Sequence, residues 1–105
     1  CVFAGGPGIG PAVGIAERAR NAGRDAAIVY AGQEPAHAER LDALEAAGAT
    51  VIRTDDLAAA VDSIDTSGGT SYAFGFEGFI QQTKDALAAA GVDMDSVEME
   101  SFGPA

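Results

Sequence analysis

The segment with the clearest chemical potential is a glycine-rich stretch near the start of the chain. Glycines stand at positions 5, 6, 8 and 10, between an apolar run and a helical pattern. Residues without side chains let backbone amides approach a phosphate, and the start of the next helix adds partial positive charge. The stretch therefore predicts either a phosphate or pyrophosphate site or a tight strand-to-helix turn. It is not the G-x-G-x-x-G motif, because Pro11 stands where the third glycine belongs, and no Gly-Lys-Ser/Thr follows as in a Walker A loop.

Other reactive side chains are few and isolated. His37 and Cys1 are the only histidine and cysteine, so no metal site is predicted, and His37 is expected on the surface of a helix. The pair Asp55-Asp56 is interpreted as a helix cap rather than a cation site. Ser101 has no His/Asp pair around it in the sequence, which gives hydrolase chemistry no support.

Charge and composition exclude several classes of partner. The 105 residues suit one domain, and the net charge of −10 argues against nucleic acid or an anionic membrane. No apolar run approaches the ~20 residues of a membrane span. Residues 1–53 contain five arginines and six acidic residues, whereas residues 54–105 contain one basic residue, Lys84, and ten acidic residues. An anionic ligand is therefore expected in the first half, and the acidic end is either a solvated edge or a dock for a basic partner. With a single cysteine, a cytoplasmic location is the default.

The hydrophobic pattern places these residues on alternating strands and helices. Strands are predicted at 1–4, 26–31, 49–53, 71–74 and 97–102, the last as an edge because apolar and polar residues alternate. Helices are predicted at 12–22 and 36–47, from Asp55 or Asp56 to Ile64, and at 76–90. Apolar strands joined by helical crossovers indicate a parallel sheet with helices on both faces. The abrupt first strand suggests that something upstream is missing.

Ligands of parallel sheets bind where the strands end at their carboxyl edge. Three predicted loops should meet there: residues 5–10, 32–35 and 75–78. The glycine stretch belongs to the first of them, so the predicted phosphate site and the predicted crevice coincide.

Several motifs together resemble the ferredoxin–NADP reductase superfamily. Residues 4–11 are similar to its A-G-G-x-G-I-x-P signature, and residues 30–32, Tyr-Ala-Gly, to the end of its second strand. Residues 72–80 resemble its Y-x-C-G-P-x-x-[FM]-[MI] segment, and residues 98–104 its closing E-S-F-G. The order and spacing match from Ala4 to Pro104.

The resemblance implies an α/β fold, a three-layer α/β/α domain with a five-stranded parallel sheet ordered 3-2-1-4-5. Residues 1–105 would form the NAD(P)-binding domain, and an upstream FAD-binding barrel would lie outside this chain. The domain would present nicotinamide for hydride transfer to FAD, and single electrons would pass on to an iron–sulfur or haem acceptor. This chain alone would be inactive.

The resemblance also implies site residues. Those that would bind cofactor are Gly5, Gly6, Pro7, Gly8, Ile9, Gly10, Gly32, Gln33, Glu34, Gly75, Phe76 and Glu77. Those placed beside the nicotinamide and isoalloxazine are Glu100, Phe102 and Phe74.

Two departures from the family pattern matter. Phe74 stands where the family has cysteine, and Phe76 where it has proline. The Phe74 ring could stack on nicotinamide or flavin, block the pocket, or be an ordinary buried strand residue. After the second strand, Gln33 and Glu34 replace the basic groups that hold a 2′-phosphate, which favours NADH over NADPH. Arg40, the nearby base, is expected on a solvated helix face.

Two other functions stay open. The fold could be a degenerate, non-catalytic module for docking or regulation, with Phe74 and Phe76 filling the nicotinamide pocket. It could also be a flavodoxin-like or other nucleotide-binding domain, which would leave the Glu100-Ser101-Phe102 ending unexplained.

Overall fold

Five strands alternate with four helices in the computed structural model, which describes residues 1–32, 37–64 and 70–104. The strands are β1 (Val2–Gly5), β2 (Ala27–Ala31), β3 (Thr50–Arg53), β4 (Ser71–Gly75) and β5 (Val97–Ser101). The helices are α1 (Ile9–Asn21), α2 (Ala38–Ala46), α3 (Leu57–Ser63) and α4 (Glu77–Ala89). Single 3-10 turns, Gly6–Gly8 and Met94–Ser96, precede α1 and β5.

The strands form one parallel sheet in the order β3-β2-β1-β4-β5. The central strand β1 pairs with β2 on one side, where Val2 lies opposite Ile28, and with β4 on the other, where Val2 lies opposite Tyr72. The predicted fold class and strand order are confirmed.

Burial along the strands follows their position in the sheet. Every residue of β1 is buried, as expected for a central parallel strand covered on both faces. In β5 the exposed Glu98 and Glu100 alternate with half-buried residues, which confirms the predicted edge. Edge charges of this kind also discourage pairing with another chain.

Two hydrophobic clusters lie on opposite faces of the sheet and define three layers. One cluster joins α1 and α2 to the sheet and includes Ile9, Val13 and Leu41. The other joins α3 and α4 to the opposite face and includes Val61 and Leu87.

The helix ends follow local chemistry. α1 begins at Ile9, three residues before the predicted start, so Pro11 is its third residue. Proline is tolerated there because the N–H that it lacks would have no acceptor inside the helix. Asp56 caps α3 by accepting a hydrogen bond from the Ala59 amide at 3.1 Å, as one of the two predicted alternatives had it.

Candidate functional site

The carboxyl edge of the sheet gathers the segments that the sequence singled out. The glycine turn follows β1, Phe76 follows β4, and residues 102–104 follow β5. Gly5 is in register with Ala31 of β2, and Gly75 with Ser101 of β5. Because all strands are parallel, these segments leave the sheet at one edge, as predicted for loops 5–10 and 75–78; most of the third predicted loop, 32–35, lies outside the described residues.

The glycine turn leaves backbone donors free of side-chain caps. Gly6 has a φ of +53°, in the left-handed region that favours glycine, and no described atom lies within 4 Å of a Cβ built on it. No side chain caps α1, and its first turn carries no acidic residue. The first amides of a helix have no intrahelical acceptor, so this turn can accept an anion.

Position 8 requires glycine for a different reason. A Cβ at this position would overlap the backbone carbonyl of Phe74 at the end of β4. The absence of a side chain at Gly8 therefore lets the turn pack against β4, and this closeness is part of the fold itself.

The ring of Phe79 explains why glycine stands at positions 5 and 75, and the sequence analysis did not predict this role. Its ring carbons lie 2.5 Å from a Cβ built on Gly5 and 2.7 Å from one built on Gly75. The half-buried ring thus occupies the space that side chains at the ends of β1 and β4 would need. The spacing of Gly75 and Phe79, four residues apart across a helix start, was the available signal. The predicted cofactor contacts of Gly5 and Gly75 stay predictions.

The loop after β2 is described only at its start and end. At Gly32 a Cβ would come within 2.8 Å of the Tyr30 ring, so this glycine also makes room for a neighbour. Gln33 and Glu34 lie outside the described residues, and the choice between NADH and NADPH stays a prediction.

The residues after β5 fold back over the start of α4. The Phe102 amide donates to the Gly75 carbonyl at 2.9 Å, and the Glu77 amide donates to the Gly103 carbonyl at 3.0 Å. The rings of Phe76 and Phe102 pack edge to face, with centroids 6.1 Å apart and planes at 88°. The structure therefore brings together Phe76, Glu77 and Phe102, three of the predicted site residues.

Phe102 and Glu100 are open to solvent, whereas Phe74 is not. Phe102 is 37% exposed, and Glu100 is an exposed residue of the edge strand. Phe74 is 9% exposed and belongs to the cluster that contains Ile9 and Val13. This matches the interpretation of Phe74 as a buried strand residue, and its contact with a nicotinamide stays a prediction.

Arginines near this edge are already engaged. Arg53 donates to Asp42 at 2.9 Å, and Arg40 donates to both carboxylate oxygens of Glu17 at 2.6 and 3.2 Å. The hydrogen bond from Arg40 lowers the pKa of Glu17 and, in turn, raises the pKa of Arg40. An anion at this edge would therefore be held mainly by amides rather than by these cations.

His37 occupies a different place from the one predicted. It takes the N-cap position of α2 and is half-buried, instead of lying on the helix surface. Its Nε2 atom is 3.9 Å from a Cβ built on Gly10, in the first turn of α1. Its Nδ1 atom is buried and has no hydrogen-bond partner among the described residues. The sequence held no signal for this, because the contact joins two separate loops.

Two cavities lie at the opposite, amino edge of the sheet. They measure about 640 and 440 Å³ and share Cys1, Asp25, Ala26 and Ala27 among their lining residues. None of the predicted site residues lines either of them. The glycine turn thus faces an open edge rather than one of these cavities.

Residues 1–32, 37–64 and 70–104 contain neither a metal-binding cluster nor a membrane-spanning helix. No group of three or more His, Cys, Asp or Glu residues there is arranged to hold a metal ion. None of the helices there has the length and apolar character needed to cross a membrane.

The fold is shared with two solved flavoproteins. Flavohemoglobin from Malassezia yamatoensis, solved with bound FAD and heme, superposes with a TM-score of 0.72 at 16% identity, over 97% of this chain and 31% of that one. The flavohem-like FAD/NAD binding domain of nitric oxide dioxygenase from Vibrio cholerae O1 biovar El Tor gives 0.67 at 22% identity, over 98% and 50%. The chain thus spans 31% of the length of the first and 50% of the length of the second.

These similarities show that the α/β fold is ferredoxin reductase-like, as the sequence resemblance predicted. No protein-family model matches the sequence, and no curated protein matches it either. At these identities the likeness is one of fold.

Proposed function

We propose that this chain is the NAD(P)H-binding domain of a flavin-dependent oxidoreductase. The observation that carries the proposal is the uncapped glycine turn at the carboxyl end of the central strand, on the same edge as Phe76, Glu100 and Phe102. The fold shared with two FAD-containing or FAD-binding proteins supports a flavin context. FAD would be held mainly by a domain outside these 105 residues.

The glycine turn fits a diphosphate. Open space around Gly6 and the absence of a side chain at Gly10 leave the first amides of α1 approachable. The side chain of Ile9 is buried, and its amide donates to the Gly6 carbonyl. The helix start supplies partial positive charge where this strongly acidic chain has no acid.

The other end of the ligand would lie near β4 and β5. When bound, the nicotinamide supplies a hydride to the flavin. The exposed edge of Phe102, braced by Phe76, offers an aromatic surface for a planar ring. The Glu77–Gly103 hydrogen bond holds residues 102–104 over the start of α4, and so fixes that surface relative to the glycine turn.

NADH is the expected dinucleotide, and a haem or iron–sulfur centre is the expected electron acceptor. Arg40, the cation closest to the second loop in sequence, already pairs with Glu17 and is not available to a 2′-phosphate. Glu34 and Gln33 would add hydrogen bonds to ribose rather than positive charge. A cytoplasmic location suits such a reductase.

Nucleotide titration tests the proposal. NADH added to the ¹⁵N-labelled chain is expected to shift the amide signals of Gly6, Gly8, Ile9, Gly10, Phe102 and Gly103. NADPH is expected to bind more weakly. The absence of NADH binding up to millimolar concentration, also in the complete flavoprotein, would overturn the proposal.

A non-catalytic module is the second candidate, and the Phe76–Phe102 pair favours it. Phe76, which stands where the family has proline, packs its ring against Phe102 at the nicotinamide end and leaves less room there than a proline would. Phe74→Cys in the complete protein separates the two functions. If NADH oxidation rises, the pocket was partly blocked; if it falls while the protein remains folded, the ring belongs to a working site.

A further inference from the structure

Strand pairing at the carboxyl edge of the sheet stops early between the two central strands. The register between β1 and β4 ends at the pair Ala4–Phe74, one residue before either strand ends. On their outer sides both strands stay paired for that residue, since Gly5 is in register with β2 and Gly75 with β5. The edge therefore divides into a β1–β2 part and a β4–β5 part, and Gly5 and Gly75 face each other across the division.

The ring of Phe79 lies against both sides of this division. Phe79 stands in the first turn of α4, and its ring carbons are 2.5 Å from a Cβ built on Gly5 and 2.7 Å from one built on Gly75. Glycine at both positions lets the ring lie directly on the two backbones. The half-buried ring also packs against the cluster that contains Leu87, which anchors it from the side of α4. One side chain thus touches both strand ends where their own pairing has stopped.

Each strand end leads into one half of the proposed site. Gly5 is followed directly by the glycine turn, where the diphosphate would bind. The carbonyl of Gly75 accepts a hydrogen bond from the Phe102 amide at 2.9 Å, so the aromatic surface depends on the position of Gly75. The backbone contact of Gly8 with the Phe74 carbonyl joins the same two strands before the division. Beyond that point the spacing of the two halves depends on what lies between Gly5 and Gly75.

We infer that Phe79 is a positioning residue that sets the distance between the diphosphate half and the nicotinamide half of the site, and so selects a dinucleotide over either half alone. The inference rests on the proposed function and assigns the determinant of ligand length. A ligand that spans both halves gains from a fixed spacing, because its second contact then forms at a high effective concentration. A ligand confined to one half gains nothing from that spacing.

The ratio of NADH affinity to ADP affinity tests the inference. NADH spans both halves, whereas ADP fills only the diphosphate half, so the unaltered chain is expected to bind NADH more tightly than ADP. Phe79→Leu removes the ring and keeps an apolar side chain that suits a helix. In calorimetric titrations its NADH affinity is expected to fall about tenfold, and its ADP affinity by less than about twofold. Phe79→Tyr keeps the ring and is expected to keep the ratio of the unaltered chain.

A loss of stability alone would act differently on the two ligands. A chain that is partly unfolded binds both ligands less tightly by the same factor, so the ratio of their affinities does not change. Leu87→Ala is the matched control, because Leu87 is fully buried on the same helix and in the same cluster. It is expected to lower the unfolding temperature at least as much as Phe79→Leu does, and to leave the ratio unchanged.

Three results would overturn the inference. They are an unchanged ratio in Phe79→Leu, an equal fall in both affinities in that variant, and a ratio that falls as far in Leu87→Ala. Each of them leaves the proposed function standing if the unaltered chain binds NADH. An unaltered chain that binds neither NADH nor ADP defeats the proposed function, and the inference with it.

Discussion

Gly6 and Gly8 stand two residues apart in the same turn, and each position requires glycine for a different reason. Gly6 needs its left-handed φ and borders open space, whereas Gly8 makes room for the Phe74 carbonyl. A ligand can therefore use Gly6 without disturbing the fold, and any side chain at Gly8 disturbs the fold first.

Alanine substitutions should separate these two roles. Gly8→Ala pushes the turn away from β4 and is expected to lower the free energy of unfolding by about 2 kcal/mol or more. Gly6→Ala costs about 1–2 kcal/mol for its positive φ and adds a methyl group where the diphosphate would lie. Chemical denaturation and NADH titration of both variants check this. A Gly8→Ala chain as stable as the original would contradict the packing seen here.

Phe74 contributes to stability whatever its role toward a ligand. Phe74→Cys removes a buried ring beside Ile9 and Val13, and we expect it to lower the free energy of unfolding by about 3 kcal/mol. Urea denaturation measures the change. A loss below about 1 kcal/mol would show that the ring is not part of the core, and the kinetic comparison of this variant should therefore be made at a temperature where it is folded.

The sequence could predict which loops form the candidate site, but not the reasons for individual residues. The glycines marked the turn between β1 and α1 because loops between strands and helices carry a local signal. The Phe79 ring over Gly5 and Gly75, and the imidazole of His37 near Gly10, are contacts between distant segments. Such contacts depend on how elements pack in three dimensions, which periodicity does not encode.

Among the helices, α3 offers the clearest test of a local signal. Asp56 accepts a hydrogen bond from the Ala59 amide, whereas neighbouring Asp55 makes no such bond to a described residue. Asp56→Ala should lower the free energy of unfolding by about 1 kcal/mol, and the control Asp55→Ala by much less. Thermal unfolding monitored by circular dichroism compares them. Equal losses would show that the cap does not stabilise α3.

The link between α1 and α2 should depend on pH and salt. Because Arg40 lowers the pKa of Glu17 in the folded state, their pair stabilises the fold above the ordinary carboxyl pKa, and this contribution disappears as the pH falls through the lowered value. The pair is on the surface, so its contribution is less than about 1 kcal/mol and decreases with salt.

Arg40→Gln tests this link directly. An NMR titration of the Glu17 carboxyl carbon should show its pKa return toward the ordinary value in the variant. The stability difference between the variant and the original should be present at neutral pH and absent in strong acid. A difference that persists unchanged at low pH would contradict the ion pair as its cause.

Strand and helix order were predictable because each element carries its own pattern. Continuous apolar runs marked the inner strands, and alternation in 97–102 marked an edge. The start of α1 was predicted three residues too late, since the helix begins at Ile9 and has Pro11 within its first turn. The pairing order followed from the resemblance and not from the patterns themselves.

At the scale of the whole molecule, charge should give nucleotide binding an unusual salt dependence. The chain carries a net charge of −10 and would hold an anionic ligand mainly by amides. Added salt screens the overall repulsion, so NADH affinity should hold or improve from low to physiological ionic strength. Calorimetric titrations across that range measure it. A steep loss of affinity with salt would indicate that lysine or arginine side chains bind the phosphates instead.

The all-parallel sheet also sends the two chain ends in opposite directions. Cys1 enters at one edge, beside the two cavities, and residues 102–104 leave at the other, over the start of α4. An affinity tag, dye or fusion partner joined after Ala105 would therefore lie close to the proposed nucleotide site and compete with ligand. The same addition before Cys1 would leave that mouth clear, which makes it the better place to immobilise the protein for binding measurements.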